Sequence, residues 1–551
     1  MNILGIHGGV TQLHHDPAAA LLIDGKIVAA IEEERLNRQK GGLGHIPVRA
    51  IEFCLRHASM EIRDIDLVVH SGETNHDLEI RIKQYLNHYF GSSPEVILVN
   101  HQMAHLASAY YASGFKEAYV LSYDGYGDNL SAAFGFGSSN ELKMHRTFGL
   151  EDSLGLFYSV MTSFLGFEPA DAEYRVMGLA AHGKPGIELK DIISIFHNTI
   201  QIDNRFFRGS DRVFSVASSQ EDYDPPLRSR FEPWYRNSLC DLLGPPRRLN
   251  EPITQRHADI AYATQKAFEQ ASFALVNQLL KDCDFPVNLA LAGGCALNCA
   301  TNGLLLKHPR ISKMFVQPAA SDRGIALGCA YLGAAKLGDK VSPMNTTYLG
   351  GEYSDDEIRS ILELLGVSFV RSENIISSAA ELLSSGKIIG WFQGRSEYGP
   401  RALGNRSILA DPRNEIMRDM INKRIKFREE FRPFAPVVAS EFASQIFDLS
   451  DESPFMTCAV QVRESWKRHI PAVVHKDGTA RVQTCNATQN ILLHKLLLKF
   501  YQLTSVPVLL NTSFNIKGEP IVETPQNAVA TFFGSGMDDL IIGNYIVGKS
   551  K

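Results

Sequence analysis

His101 and His105 stand four residues apart in His101-Gln102-Met103-Ala104-His105. On a helix this spacing puts both imidazoles on one face, as two-histidine metal sites require. No glutamate follows the first histidine, so the zinc-protease pattern is not met. Asp124 and Asp322, each beside a glycine turn, would complete a set of two nitrogens and two oxygens. Such a set suits Fe(II), Mn or Zn rather than a thiolate-selected metal. A structural histidine pair has the same spacing, and sequence alone does not bring the four together.

Two glycine-rich stretches offer backbone amides to phosphate. Asp124-Gly125-Tyr126-Gly127-Asp128 reads as a turn that binds an anion or simply closes a hairpin. Ala292-Gly293-Gly294-Cys295-Ala296-Leu297-Asn298 follows an apolar run and leads into a helix, so its amides could meet a nucleotide there. Gly178 to Lys184 fits the spacing of a phosphate-binding P-loop, but Pro185 stands where the Mg²⁺-binding hydroxyl is needed.

The second half carries basic residues among glycines, prolines and aromatics. Arg401 and Arg406 lie in Gly399–Arg406, Lys426 follows, and Arg432 lies in Phe431-Arg432-Pro433-Phe434. Guanidinium forks held by rigid neighbours suit phosphates and carboxylates, which favours a small-anion site over a nucleic-acid surface. Arg481 in His475–Arg481 and Asn511 in Leu510–Asn515 add a further cation and an amide, the latter just beyond the apolar run Val506 to Leu510. His15, in a loop before a strand, is a candidate general base because imidazole titrates near neutral pH.

Elements must position these groups. Ile3–Ile6, Ala18–Ile23 and Lys26–Ile31 read as strands, with Asp24-Gly25 a strong hairpin signal between the last two. A second hairpin is expected over Ala118–Ser122 and Ser131–Gly137. Paired hairpins of this kind resemble the duplicated sheets of the actin and sugar-kinase class. Helices are expected at Pro47–His57, His101–Ser113, His257–Asp282 and Gly324–Lys336. Residues 200–255, rich in proline and scattered charge, read as a weakly ordered insertion, a lid or partner surface. The Gly338–Gly351 stretch marks a domain boundary, after which Ser354 to Glu357 opens a helix by N-cap chemistry. The expected domains are therefore 1–345 and 350–551.

At 551 residues the chain is too long for one core. A net charge of -6 excludes a global basic field for nucleic acid or anionic membrane. Eight scattered cysteines without a C-x-x-C pair suit a reducing compartment. The sequence shows no signal-peptide pattern and no apolar run of roughly 20 residues, so a cytoplasmic protein is expected.

Taken in order, His15-Asp16, Glu32–Arg35, His101-x-x-x-His105, Asp124-Gly125, Glu173–Ala180, Gly293-Gly294, Gly399–Asp411, Phe431–Pro436 and Leu510–Pro520 are similar to the O-carbamoyltransferases of nodulation-factor and antibiotic biosynthesis. The resemblance spans nearly the whole chain. It implies an α/β protein with an N-terminal domain like the tRNA threonylcarbamoyl transferase subunit, of the actin and sugar-kinase fold. The implied C-terminal α/β domain is like threonylcarbamoyl-adenylate synthase.

The implied chemistry is formation of carbamoyl adenylate from carbamoyl phosphate and ATP, with Mg²⁺ accompanying the nucleotide, and then carbamoylation of a hydroxyl on a small molecule. By the resemblance, Arg401, Lys426, Arg432, Arg481 and Asn511 belong to adenylate formation. His101, His105, Asp124 and Asp322 would hold Fe(II) or a similar divalent metal, and Lys40, Gly293, Gly294 and Asn298 would contact nucleotide. Arg175 and Ala181 depart from the family's usual Lys and Pro. The expected partner is an alcohol acceptor, with no nucleic acid or membrane, and the chain is expected as monomer or homodimer. Competing readings are a tRNA threonylcarbamoyladenosine-forming enzyme, which would depend on threonine and bicarbonate, and a nucleotide-binding scaffold without turnover.

Overall fold

Asp24 and Gly25 take positive φ of 48° and 71°, the backbone that a two-residue hairpin turn demands. This turn joins β2 (Ala18–Ile23) to β3 (Lys26–Glu32), and β2 pairs antiparallel with β1 (Asn2–His7). Two parallel strands, β4 (Leu67–Ser71) and β5 (Glu95–Val99), extend the sheet in the order β3-β2-β1-β4-β5. The structure, a computed structural model, describes residues 1–9, 15–42, 44–208 and 233–549.

The same plan recurs. An antiparallel meander of β6 (Glu117–Gly127), β7 (Leu130–Ser138) and β8 (Glu141–Phe148) is followed, beyond a small β9 (Ile193–Phe196) and β10 (Thr199–Ile202) hairpin, by β11 (Val287–Ala292) and β12 (Ile311–Val316). The order β12-β11-β6-β7-β8, with β6, β11 and β12 mutually parallel, is that of the first sheet. This is the duplicated sheet expected of the actin and sugar-kinase class.

Helix Ile325–Lys336 packs against β1, β2 and β4 and against helix His101–Ser113. Small residues permit the approach: a Cβ on Gly328 would lie 1.9 Å from the carbonyl oxygen of Ala104. This fit fixes Asp322, three residues before the helix, relative to the two histidines.

A second sheet system follows. It contains β13 (Phe369–Arg371), β14 (Ile389–Phe392), β15 (Arg406–Ala410), β16 (Ala435–Ala439), β19 (Gln483–Cys485), β20 (Val508–Ser513), β21 (Asp539–Ile542) and β22 (Tyr545–Gly548), while β17 (Ala459–Gln461) and β18 (Thr479–Arg481) form a ribbon. The order β13-β22-β21-β14-β15-β20-β16-β19 mixes parallel and antiparallel pairs. Ser354 caps helix Asp355–Leu364 with a reciprocal bond from Glu357, as its sequence indicates.

The chain divides into two compact units, Met1–Glu33 with Gly41–Met344, and Glu34–Lys40 with Asn345–Lys551. The short Glu34–Lys40 segment, read from sequence as part of the first domain, clusters with the second unit. Within that unit Arg35 donates to the carbonyl of Gly399 at 2.6 Å, and Arg38 donates to those of Pro520 and Ile521.

Two readings need correction. Asp124 to Gly127 is strand, not turn; the turn is Asp128-Asn129, which takes φ of 49° and 62°. The strand before Asn511 runs on to Ser513, so Asn511 lies inside the sheet. The 200–255 stretch includes 209–232, outside the described residues, and its described end is mostly exposed or half-buried apart from Leu239 and Arg247. There Arg247, 9% exposed, donates to the carbonyls of Leu165, Gly166 and Glu251. Gly178 sits within helix Glu173–Ala180, which agrees with rejecting a P-loop. Among the described residues, no helix is long and apolar enough to cross a membrane.

Candidate active sites, one in each unit

Helix His101–Ser113 starts where it must. The Asn100 side chain accepts from the amides of Gln102 and Met103, and the amide of His101 donates to Asp128 at 2.7 Å. One turn apart, His101 and His105 then present Nε2 to the same place. Asp124 reaches it from an irregular part of β6, where the ladder with β7 shifts between Tyr123 and Gly127 and turns the side chain inward.

Oδ2 of Asp124 lies 3.3 Å from Nε2 of His101 and 3.2 Å from Nε2 of His105. Oδ1 of Asp322 lies 3.6 and 3.4 Å from the same two nitrogens. One donor atom from each of the four residues lies within 4.8 Å of every other. Two buried carboxylates and two imidazoles at this spacing fit a divalent cation of intermediate softness. Burial works against a charged His105, but hydrogen bonds to Asp124 and Asp322 outweigh it and raise its pKa to about 9. The cluster thus attracts positive charge.

His15 joins this group. Its Nε2 is 3.5 Å from Oδ2 of Asp322 and its Nδ1 is 3.7 Å from Asp16, with its side chain 41% exposed. Despite the cost of burial, the charges of Asp322 and Asp16 raise it to about 10, so as placed it holds its proton. Asp16 is itself anchored by Arg323 at 2.7 Å and by Ser321. Asp16 stands in the His15-Asp16 motif but has no role assigned from sequence, and Arg323 carries no signal separable from surface charge.

Gly293 has φ of 89°, and a Cβ there would lie 2.1 Å from the carbonyl oxygen of Tyr123. The next amide, of Gly294, donates to Oδ1 of Asp124 at 2.9 Å. Asn298 caps helix Cys299–Leu305, accepting from Thr301 and exchanging bonds with Gln265. Lys40 is exposed and lies in the segment that clusters with the second unit.

In the second unit, Lys426 ends a π-helical turn and is 5% exposed. Its Nζ meets the carbonyl of Ser513 at 2.5 Å, Oγ of Ser513 at 3.2 Å, and the carbonyl and Oδ1 of Asn515 at 3.0 and 2.8 Å. Burial and the charges of Arg428 and Arg432 hold its ammonium well below the ordinary lysine value. Arg432 precedes β16 and lies 3.8 Å from Glu429.

Asn511, 1% exposed, donates to Gln483 at 2.8 Å and to the carbonyl of Ala402 at 3.3 Å, beside Arg401. Gln483 donates in turn to the carbonyl of Leu403 at 2.7 Å. Arg481, two residues before Gln483, has a buried Nε without a hydrogen-bond partner, and so does Oδ1 of Asn511. Lys426 and Asn511 are thus linked through β20, with Gln483 of β19 bridging Asn511 to the Leu403 carbonyl. Sequence reasoning gave no roles to Ser513, Asn515 and Gln483, although Ser513-Phe514-Asn515 closes the motif that contained Asn511.

Residues 3–94 and 78–331 match the carbamoyltransferase N-terminus family, and residues 380–549 match the carbamoyltransferase C-terminus. The chain belongs to the carbamoyltransferase family. Nodulation protein NolNO of Sinorhizobium fredii (strain NBRC 101917 / NGR234) is 37% identical over 100% of this chain and 83% of its own. The 3'-hydroxymethylcephem-O-carbamoyltransferase of Amycolatopsis lactamdurans is 37% identical over 46% of this chain and 48% of its own. Among solved structures, component A of Acidaminococcus fermentans (R)-2-hydroxyglutaryl-CoA dehydratase is 16% identical with a TM-score of 0.33, over 61% of this carbamoyltransferase and 99% of that chain.

Proposed function

We propose that this carbamoyltransferase acts in two steps, making carbamoyl adenylate in the second unit and passing its carbamoyl group to a small-molecule hydroxyl in the first. The observation that carries the reading is the pair of buried, unsatisfied polar atoms in the second unit, Nε of Arg481 and Oδ1 of Asn511. A buried donor on a cation and a buried acceptor on an amide are costly unless a ligand completes them. Carbamoyl phosphate offers both complements: anionic oxygens for the guanidinium and an N–H₂ group for the amide oxygen.

Lys426, Arg401 and Arg432 offset the repulsion between carbamoyl phosphate and the ATP phosphates, which is the main barrier to bringing the two together. Phosphate leaves carbamoyl phosphate with uptake of one water, and the resulting carbamate oxygen attacks the α-phosphorus of ATP, expelling pyrophosphate. Transfer to the alcohol then releases AMP and a proton. Mg²⁺ accompanies ATP.

In the first unit His101, His105, Asp124 and Asp322 would hold Fe(II) or a similar divalent ion, which supplies Lewis-acid charge there. His15, beside Asp322 and partly open to solvent, is the proposed general base in its neutral form, which a cation held by Asp322 would favour by offsetting the carboxylate charge that keeps the ring protonated. The amides of Gly293 and Gly294, with Asn298, are the proposed nucleotide contacts in this unit. The name of the cephem relative, a 3'-hydroxymethylcephem-O-carbamoyltransferase, supports an alcohol as acceptor.

The test is pyrophosphate release from ATP with carbamoyl phosphate. Wild type is expected to release it, and Arg432→Ala and Lys426→Ala each to lose on the order of 100-fold in rate. Near-normal release by both variants would remove adenylation from this site, and dependence on threonine and bicarbonate instead would favour the tRNA-modifying reading.

A further inference from the structure

β1 ends at His7 and β4 at Ser71, and the two strands are parallel neighbours with Ile6 opposite His70. Their ends therefore meet. Nδ1 of His7 lies 3.0 Å from Oγ of Ser71, and Nε2 lies 3.4 Å from Oδ2 of Asp322. His7 and Ser71 are each 1% exposed and Asp322 is 5% exposed.

The two oxygens of Asp322 face different ways. Oδ1 is turned to His101 and His105, at 3.6 and 3.4 Å. Oδ2 is turned to His7 and His15, at 3.4 and 3.5 Å. His7 is not among the four residues whose donor atoms cluster within 4.8 Å, so it stands one step behind them.

The tautomer follows from the neighbours. A ring nitrogen against a carboxylate oxygen must carry the hydrogen, because two lone pairs would repel. Nε2–H of His7 then faces Asp322, and Nδ1 accepts from the hydroxyl of Ser71.

We propose that Ser71 and His7 form a relay that fixes the carboxylate of Asp322, His7 being a positioning residue that presents Oδ1 to the cation the cluster takes. This rests on the metal reading of the four residues. A carboxylate that must be oriented at the moment of binding loses affinity, and partners of this kind are typically worth about 10–100-fold in metal binding. Nothing in the sequence marks His7, which reads only as the end of a strand.

The experiment measures Co(II) binding to the full chain by competition with a chromophoric chelator, together with the visible ligand-field spectrum. His7→Leu is expected to weaken Co(II) by about 10–100-fold with the spectrum unchanged. His7→Gln, whose amide N–H can occupy the place of Nε2, is expected to recover most of the loss. Ser71→Ala is expected to weaken binding in the same direction by a smaller factor, and it serves where His7→Leu does not fold, as judged by circular dichroism. Wild-type affinity in folded His7→Leu, or in Ser71→Ala where His7→Leu does not fold, overturns the relay. A spectrum showing loss of a nitrogen ligand makes His7 a direct ligand and also overturns it. Failure of wild type itself to bind Co(II) overturns the metal reading, and the relay with it.

Discussion

The backbone N–H of Gly294 donates to Oδ1 of Asp124 at 2.9 Å. A turn whose glycines suggested nucleotide contact thus sets the orientation of a residue in the His101, His105, Asp124 and Asp322 cluster, whose other oxygen faces the two histidines. Gly293→Ala is expected to break this coupling. Its φ of 89° with ψ of 157° costs any residue with a Cβ about 1–3 kcal/mol, and the added atom would meet the carbonyl of Tyr123 at 2.1 Å. The expected outcome is a lower melting temperature and at least tenfold weaker metal binding, read by calorimetry and metal titration. A variant equal to wild type in both would show that the turn does not hold Asp124.

Lys426 gives a protonic signature. Burial, with Arg428 and Arg432 nearby, depresses its pKa in the unliganded protein, and a bound polyphosphate would raise it again by supplying negative charge. Binding of ATP is therefore expected to take up protons at pH values between the depressed and the restored pKa. Isothermal titration in two buffers of different ionisation enthalpy measures this directly. Lys426→Met is expected to abolish the uptake; an uptake that persists in the variant would assign it to another group.

His70, 1% exposed, lies with Nε2 3.1 Å from the carbonyl of Gly8, and burial lowers its pKa to about 4. The unfolded chain binds this proton near pH 6.5, so between about 6.5 and 4 the unfolded state holds more protons than the folded one. Stability from this residue is complete above pH 6.5 and falls as pH drops through that window, by about 3 kcal/mol at most. Denaturant melts across the window are expected to show a shallower pH slope for His70→Gln than for wild type. Equal slopes would contradict the assignment.

Much of this was legible in the sequence because some signals are local. Asp24-Gly25 announces its hairpin, Ser354 with Glu357 its helix, and the four-residue spacing of His101 and His105 their common face. Asp124 was misread as a turn residue because glycines at 125 and 127 look like turn chemistry, whereas Asp128-Asn129 supplies the positive φ. Burial of Asn511 inside β20, the grouping of Glu34–Lys40 with the second unit and the placing of His7 behind Asp322 depend on contacts between residues far apart in sequence. No periodicity within a window reports those.

The central claim, that the two half-reactions belong to different units, is tested most directly by the double variant His101→Ala with His105→Ala. It removes two of the four donors of the first-unit cluster and touches none of the second-unit residues. One preparation is measured for bound metal, for pyrophosphate release from ATP with carbamoyl phosphate, and for carbamoylated alcohol by mass, the acceptor first being found by screening a panel with wild type. Loss of metal, retained pyrophosphate release and no carbamoylated product is the expected result. A variant that loses its metal yet carbamoylates the acceptor at the wild-type rate would contradict the account and leave the histidine pair a structural one.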